Sequence, residues 1–378
     1  MDGIPYEVWK HLNESYLKNQ KKNKNLPGFD IIGCLTNVFN DIQLHGTDPS
    51  TNFSLGWMCP IYKKKDRSQI ENYRPITLLN TDYKTMTKAL AVQLAFHIRS
   101  LVHPDQTGFI PKRSIFDPIK LAKTMCDYAD YMEEDGAIIA LDQEKAYDKI
   151  DHQYLLDTLK TFNLPDRFIS TVANLYKHAY TTVAINGVLS NAYRVTRGVR
   201  QGDPLSCLLF DLAIEPLACL LRTSPNLQGL TIPGTPTKTL INMYTDDTTI
   251  YLSADDRHED LETALITWCL ASGAKFNLEK TEVIPIGTKP HRDRIIATRW
   301  LHSLDQPLRD EIKIVPDGHA VRCLGAWIGN GLDDTMPWEP IIDKIKTKLT
   351  LWSKTHPSLD GKRLIIQMTI GGITQFLT

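Results

Sequence analysis

Residues Ala137-Ile138-Ile139-Ala140-Leu141 form an unbroken apolar run that Asp142 ends. Five consecutive apolar side chains suit a strand buried on both faces, so this segment predicts an inner strand of a covered sheet, with a carboxylate at its end. A second acidic position has related surroundings. Asp246-Asp247 lies between Ile241-Asn242-Met243-Tyr244 and Thr248-Thr249-Ile250-Tyr251-Leu252, both strand-like. Two carboxylates in a tight strand-to-strand turn repel each other and lose hydration near the sheet, which costs stability unless a cation or donors compensate. Two other adjacent pairs, Asp255-Asp256 and Asp333-Asp334, stand in polar stretches where capping or plain solvation accounts for them. If the two strand regions are neighbours, Asp142 and Asp246 face one another across a sheet edge. Two divalent ions about 3.5–4 Å apart could then sit between them and an incoming triphosphate. Phosphoryl transfer asks mainly for positioning and charge neutralisation, so carboxylates suffice without a protein nucleophile.

The rest of the chain sets the frame. Its 378 residues allow two or three subdomains, and 42% hydrophobic with 23% charged residues is an ordinary globular balance. No apolar run is long enough to span a bilayer and the first residues lack the pattern of a signal peptide, which leads us to expect an intracellular protein, nuclear or cytoplasmic, with no membrane partner. Seven cysteines stand singly, without the short spacing of a zinc site. A net charge of −1 does not by itself point to nucleic acid, but lysines cluster at Lys18, Lys21, Lys22 and Lys24 and again at Lys63, Lys64, Lys65 and Arg67. Helices are expected over 6–20, 29–44, 82–102, 151–161, 165–178, 257–272 and 338–354. Strands are expected over 57–62, 137–141, 240–244, 248–252, 282–286 and 321–328. Asn186-Gly187 predicts a hairpin joining 183–185 to 193–195. Gly202-Asp203-Pro204 predicts a helix start, with Asp203 capping, and a helix running to about 222 past Pro216. Strands and helices mix without strict alternation, which favours α+β.

Three segments then occur in order: Leu141-Asp142-Gln143-Glu144-Lys145-Ala146-Tyr147-Asp148, Arg200-Gln201-Gly202-Asp203-Pro204-Leu205-Ser206 and Tyr244-Thr245-Asp246-Asp247. They resemble the consecutive palm motifs of reverse transcriptases, particularly those of non-LTR (LINE-like) retrotransposons. Glu71–Asn80 and Asp105–Ile110 look like the finger motifs, while Ser272–Thr281 and Cys323-Leu324-Gly325 look like those that close the palm. The resemblance covers about 57–330. Thr245 stands where alanine is usual in this family, and Asp203 and Cys207 also depart from it.

The resemblance implies a right-hand polymerase: fingers, a palm with a ferredoxin-like antiparallel sheet, and a partial thumb. On that pattern, 1–56 is an N-terminal helical segment of the fingers, 57–330 the reverse transcriptase domain and 331–378 an incomplete thumb. It implies RNA-directed DNA polymerase activity with two Mg2+ ions (Mn2+ as a substitute), an RNA template, a DNA primer and deoxynucleotides. Asp142 and Asp246 would be metal ligands, helped by the main-chain carbonyl of Gln143, with Asp247 the third acid. Tyr147 would exclude a 2′-hydroxyl. Gln201 and Gly202 would let their loop approach nucleotide and template, Lys63 or Lys64 with Arg74 would meet the triphosphate, and Lys280 would protonate pyrophosphate. Glu144, Asp148 and Asp151 are read as capping or surface acids. The ends suggest a piece of an element, possibly a decayed copy. The alternatives are a catalytically inactive nucleic-acid-binding relic of the same fold and an RNA-dependent RNA polymerase, against which Tyr147 argues.

Overall fold

The computed structural model describes residues 30–231, 238–333 and 338–374, together with Glu14, Leu17 and Lys18. The helix expected over 6–20 and most of the first lysine cluster lie outside these residues. Among the described residues no helix is long and apolar enough to cross a membrane. The strands are β1 (Leu55–Tyr62), β2 (Tyr73–Leu79), β3 (Gly136–Gln143), β4 (Tyr180–Ile185), β5 (Val188–Leu189), β6 (Tyr193–Arg194), β7 (Ile241–Tyr244), β8 (Asp247–Ser253), β9 (Phe276–Ile286), β10 (Lys313–Ile314), β11 (Val321–Cys323) and β12 (Ala326–Ile328). The chain forms two units. The first takes residues 1–112, 144–218 and 265–275, and the second takes 113–143, 219–264 and 276–378.

The first unit holds a sheet in the order β2-β1-β4-β5, with β6 also on β4. β1 and β2 are antiparallel, and β1 runs parallel to β4. The helix Thr81–Leu101 follows β2, and its buried Tyr83, Met86, Leu90, Leu94 and Ile98 are the stripe that spacing predicts. The Asn186-Gly187 turn is present, with φ of 50° and 81°. It joins β4 to β5 rather than to residues 193–195. A two-residue turn sends the chain straight back to pair 184–185 with 188–189, and β6 then pairs further along β4 at Tyr180 and Thr181. The helix expected from Asp203 begins at Ser206 and runs to Arg222 with Pro216 inside it. Asp203 stands ahead of the cap position, in a turn where its Oδ1 accepts the Leu205 amide at 3.0 Å.

The second unit is built on a sheet ordered β10-β9-β3-β8-β7. β3 is inner, antiparallel to both β8 and β9, as its apolar run requires. Ile138 packs with Tyr251, Ile284 and Ile286 from neighbouring strands, and with Met125, Cys126 and Ala129 of the helix Phe116–Met132. That helix was not anticipated, although Pro118, Ile119, Ala122, Met125, Cys126 and Ala129 line its buried face at helical spacing. Lys289–Thr298 and Leu359–Ile366 are likewise helices that were not anticipated. The capping or solvation expected for Asp255-Asp256 also needs refining. Asp256 is buried, and its carboxylate accepts backbone amides from Gln228, Gly229 and Ser253, tying 228–229 to the end of β8.

Candidate active site

The carboxylate edge is built wholly within the second unit. β3 and β8 pair from Gly136↔Ser253 to Leu141↔Thr248, so the same register carried one step further sets Asp142 level with Asp247. β7 and β8 close a hairpin at Tyr244↔Asp247, leaving Thr245 and Asp246 as its two-residue turn. Thr245 takes φ of 58°. A β-branched residue seldom adopts the left-handed region, and holding one there costs of order 1–3 kcal/mol. The buried neighbours Met243 and Thr248 on either side hold this hairpin in register. Gln143 is buried, and its Nε2 donates to the main-chain oxygen of Asp246 at 3.3 Å, while the Thr248 hydroxyl donates to the same oxygen at 3.3 Å. The β3 end and the turn are thus joined by a side chain as well as by the ladder.

β9 flanks β3 on its other side. Ala140 pairs with Glu282 but Asp142 pairs with Asn277, so Leu278–Thr281 bulge out against the single residue Leu141. Bulges re-aim side chains at sheet rims. This one closes on itself through the Thr281 hydroxyl, which donates to the Asn277 carbonyl at 2.9 Å. It delivers Lys280, whose Nζ lies 3.1 Å from Asp142 Oδ2. Asp142, Gln143, Asp246, Asp247 and Lys280 therefore share one edge of one sheet. Behind it, the Thr249 hydroxyl and Cys323 Sγ are 3.8 Å apart, placing the Cys323-Leu324-Gly325 turn against β8. Burial pushes the Cys323 thiol up, which keeps it protonated and unreactive.

These donors suit a hard cation such as Mg2+: carboxylates and main-chain oxygens, with no sulfur or imidazole. Among the described residues no three acidic, histidine or cysteine side chains converge tightly enough to hold an ion as they stand, and the charge set against Asp142 is the Lys280 ammonium. The residues fit a cation in kind.

The remaining candidates lie in the first unit. Tyr147 stacks on Phe210 with ring centroids 4.8 Å apart and planes 7° from parallel, and its carbonyl accepts the Val199 amide at 2.6 Å. Gln201 and Gly202 lie against β2: the Thr77 amide donates to the Gln201 carbonyl at 2.9 Å, and a Cβ on Gly202 would stand 2.3 Å from the Thr77 carbonyl oxygen. Lys63, Lys64 and Arg74 are exposed at the loop end of the β1–β2 pair, where Ile61 opposes Arg74. Nearby, Arg67 lies over the Tyr62 ring at 4.7 Å.

Several residues have partners that their reading from sequence did not give, and one acts as expected. Asp148 accepts from Gln201 Nε2 at 3.3 Å, and burial raises its carboxyl above the usual range. Arg200 is buried and donates to the carbonyls of Ser54 at 2.7 Å and Tyr180 at 3.0 Å, binding the motif loop to β1 and β4. Phe210 fixes the Tyr147 ring. Glu144, read as a surface acid, bridges Lys275 and Lys149, and the Lys275 hydrogen bond does most to lower its carboxyl. Asp151 caps, accepting the amides of Gln153 and Tyr154. The carbonyl partners of Arg200 and the pairing Asn277↔Asp142 have no local signal, because each depends on which distant strand lies alongside.

The family described as reverse transcriptase (RNA-dependent DNA polymerase) matches residues 62–325. Over 222 residues the chain is 39% identical to the "Transposon TX1 uncharacterized 149 kDa protein" of Xenopus laevis, covering 58% of this chain and 17% of that one. Over 301 residues it is 26% identical to the "Retrovirus-related Pol polyprotein from type-2 retrotransposable element R2DM" of Drosophila melanogaster, covering 77% of this chain and 28% of that one. The chain thus spans less than a third of the length of these relatives. Among solved structures it is similar to apo telomerase from Candida tropicalis, at a TM-score of 0.45 and 11% identity over 76% of this chain and 50% of that one. The 62–325 match takes in both carboxylate motifs, and the relatives are retrotransposon proteins. The chain belongs to the reverse transcriptase family, of the non-LTR retrotransposon kind.

Proposed function

We propose that this chain is an RNA-directed DNA polymerase that extends a DNA primer with deoxynucleotides on an RNA template, by two-metal phosphoryl transfer with Mg2+. The observation that carries this reading is the convergence of Asp142 and Asp246, 104 residues apart in sequence, with Asp247 beside them, on one edge of one sheet whose strands β3, β7 and β8 are antiparallel. Asp142 and Asp246 would hold the ions, with Asp247 beside them. When bound, Mg2+ activates the primer 3′-hydroxyl and neutralises charge on the leaving pyrophosphate. The hydrogen bond from Gln143 to the Asp246 main chain keeps the two acidic motifs at a fixed spacing, and positioning is what this chemistry chiefly requires. Lys280, on a closed bulge, supplies an ammonium at the same edge that can give a proton to pyrophosphate.

In the first unit, Tyr147 is held by Phe210 in a fixed ring plane, which suits a steric filter against a 2′-hydroxyl. Lys63, Lys64 and Arg74 form an exposed cationic end suited to a triphosphate. The fingers, palm and thumb boundaries at 56/57 and 330/331 belong to the same proposal, as does a nuclear or cytoplasmic location. A non-catalytic binding relic has the three intact acids against it. The test is primer extension with Mg2+ on poly-rA and poly-dA templates. We expect template-dependent incorporation that Asp142→Ala abolishes. Folded protein that incorporates nothing, with Asp142→Ala indistinguishable from it, would overturn the assignment.

A further inference from the structure

We propose that Lys280 is a built-in counter-ion that a divalent cation must displace from Asp142, so that cation entry and release of the Lys280 ammonium are one exchange. The inference rests on the polymerase reading of this edge and deepens it. Lys280 Nζ lies 3.1 Å from Asp142 Oδ2, within ion-pair distance of an atom that the reading assigns to a metal ion. A lysine at this place is not a chance of surface crowding. The register between β3 and β9 is broken at this point, and the bulge Leu278–Thr281 is closed by the Thr281 hydroxyl, with Thr281 itself buried. The backbone is shaped to bring residue 280 to Asp142. Both partners remain open to water, with side-chain exposures of 59% for Lys280 and 37% for Asp142, so the pair can part without unfolding anything.

Charge gives the pair its purpose. Asp142, Asp246 and Asp247 share a sheet edge, and like charges so close repel unless a cation intervenes. The ammonium relieves that repulsion before any metal arrives. An ammonium and a divalent ion held on the same carboxylate repel each other, so the two compete for Asp142. The cost of removing Lys280 therefore weakens metal binding by the protein alone. A metal that enters with a polyphosphate brings new anionic partners for the displaced ammonium, which removes that cost. The exchange also leaves Lys280 uncoupled from Asp142 at the moment when a proton donor is required.

The test is a titration of the full chain with Mn2+ at low salt, read from the electron paramagnetic resonance signal of free Mn2+. Lys280→Met keeps the stem length and removes the charge, and should bind Mn2+ roughly two- to five-fold more tightly than wild type, the range expected for a solvent-exposed ion pair. Lys280→Arg retains a cation and should stay at or below the wild-type affinity. The gap between Lys280→Met and wild type should close in 1 M salt, where screening acts over about 3 Å. In an Asp142→Asn background, adding Lys280→Met should change nothing. If Mn2+ binding depends on Asp142 but Lys280→Met binds no tighter, the exchange is refuted and the polymerase reading stands. If Asp142→Asn leaves Mn2+ binding untouched, both fall together.

Discussion

Gly202→Ala isolates what the Gln201-Gly202 loop requires of its backbone. Gly202 has φ of +114°, and an added Cβ would stand 2.3 Å from the Thr77 carbonyl oxygen. The conformation alone costs an L-residue about 1–3 kcal/mol. Relieving the clash means moving the loop about 1 Å away from β2, and that breaks the 2.9 Å bond from the Thr77 amide to the Gln201 carbonyl. Thr77 is buried, so its amide loses a partner where water cannot easily replace it, for about 1–3 kcal/mol more. The sum is roughly 2–6 kcal/mol. Gly187→Ala is the matched control: φ is +81° with nothing within 4 Å, so it bears the conformational term alone, about 1 kcal/mol. In a body of this size 1 kcal/mol moves the melting temperature by about 2–4 °C. Gly202→Ala should therefore lower it by about 4–24 °C and Gly187→Ala by about 2–4 °C. Hydrogen exchange at the Thr77 amide should accelerate in the first variant only. Equal shifts in the two variants, with Thr77 still protected, would refute the close-approach argument.

Two further predictions concern the first unit. Tyr147→Val leaves Phe210 without its stacking partner and removes the ring proposed to meet the sugar, so ribonucleotide incorporation should rise at least several-fold relative to deoxynucleotide in single-nucleotide extension; an unchanged sugar preference would count against that role. Burial lowers His152 below the ordinary imidazole range, against the hydrogen bond to the Gly198 carbonyl, which raises it. A depressed folded-state value means that the unfolded chain binds the proton more readily, so stability is whole above about pH 6.5 and is lost as pH falls below it. His152→Gln should flatten the pH dependence of the melting temperature in that window, and an identical slope in the variant would show that His152 does not set it.

Much of the fold could be read locally. The helix Thr81–Leu101 repeats its apolar residues at helical spacing, β3 is a solid apolar run, and Asn186-Gly187 has the turn chemistry of a tight hairpin. Such features depend on near neighbours, and sequence records near neighbours directly. The helix Phe116–Met132 was missed although its buried Pro118, Ile119, Ala122, Met125, Cys126 and Ala129 recur at helical spacing. The hairpin partner of β4 was misplaced because residues 188–189 are exposed and too short to announce a strand.

The candidate site divides in the same way. The identity and order of Asp142, Tyr147, Gln201, Gly202, Asp246 and Asp247 are present in the chain as a linear pattern, because each motif sits on one strand, turn or loop. Tertiary structure alone decided the alignment of Asp142 with Asp247, the seating of Gln143 on the Asp246 backbone and the bulge that turns Lys280 onto Asp142. It also decided that Phe210 underlies Tyr147 and that Asp148 reaches Gln201. The physical reason is register: sliding one strand by one residue leaves every local preference satisfied yet reverses which side chains share a face. Only the packing of both faces of β3 selects among those alternatives.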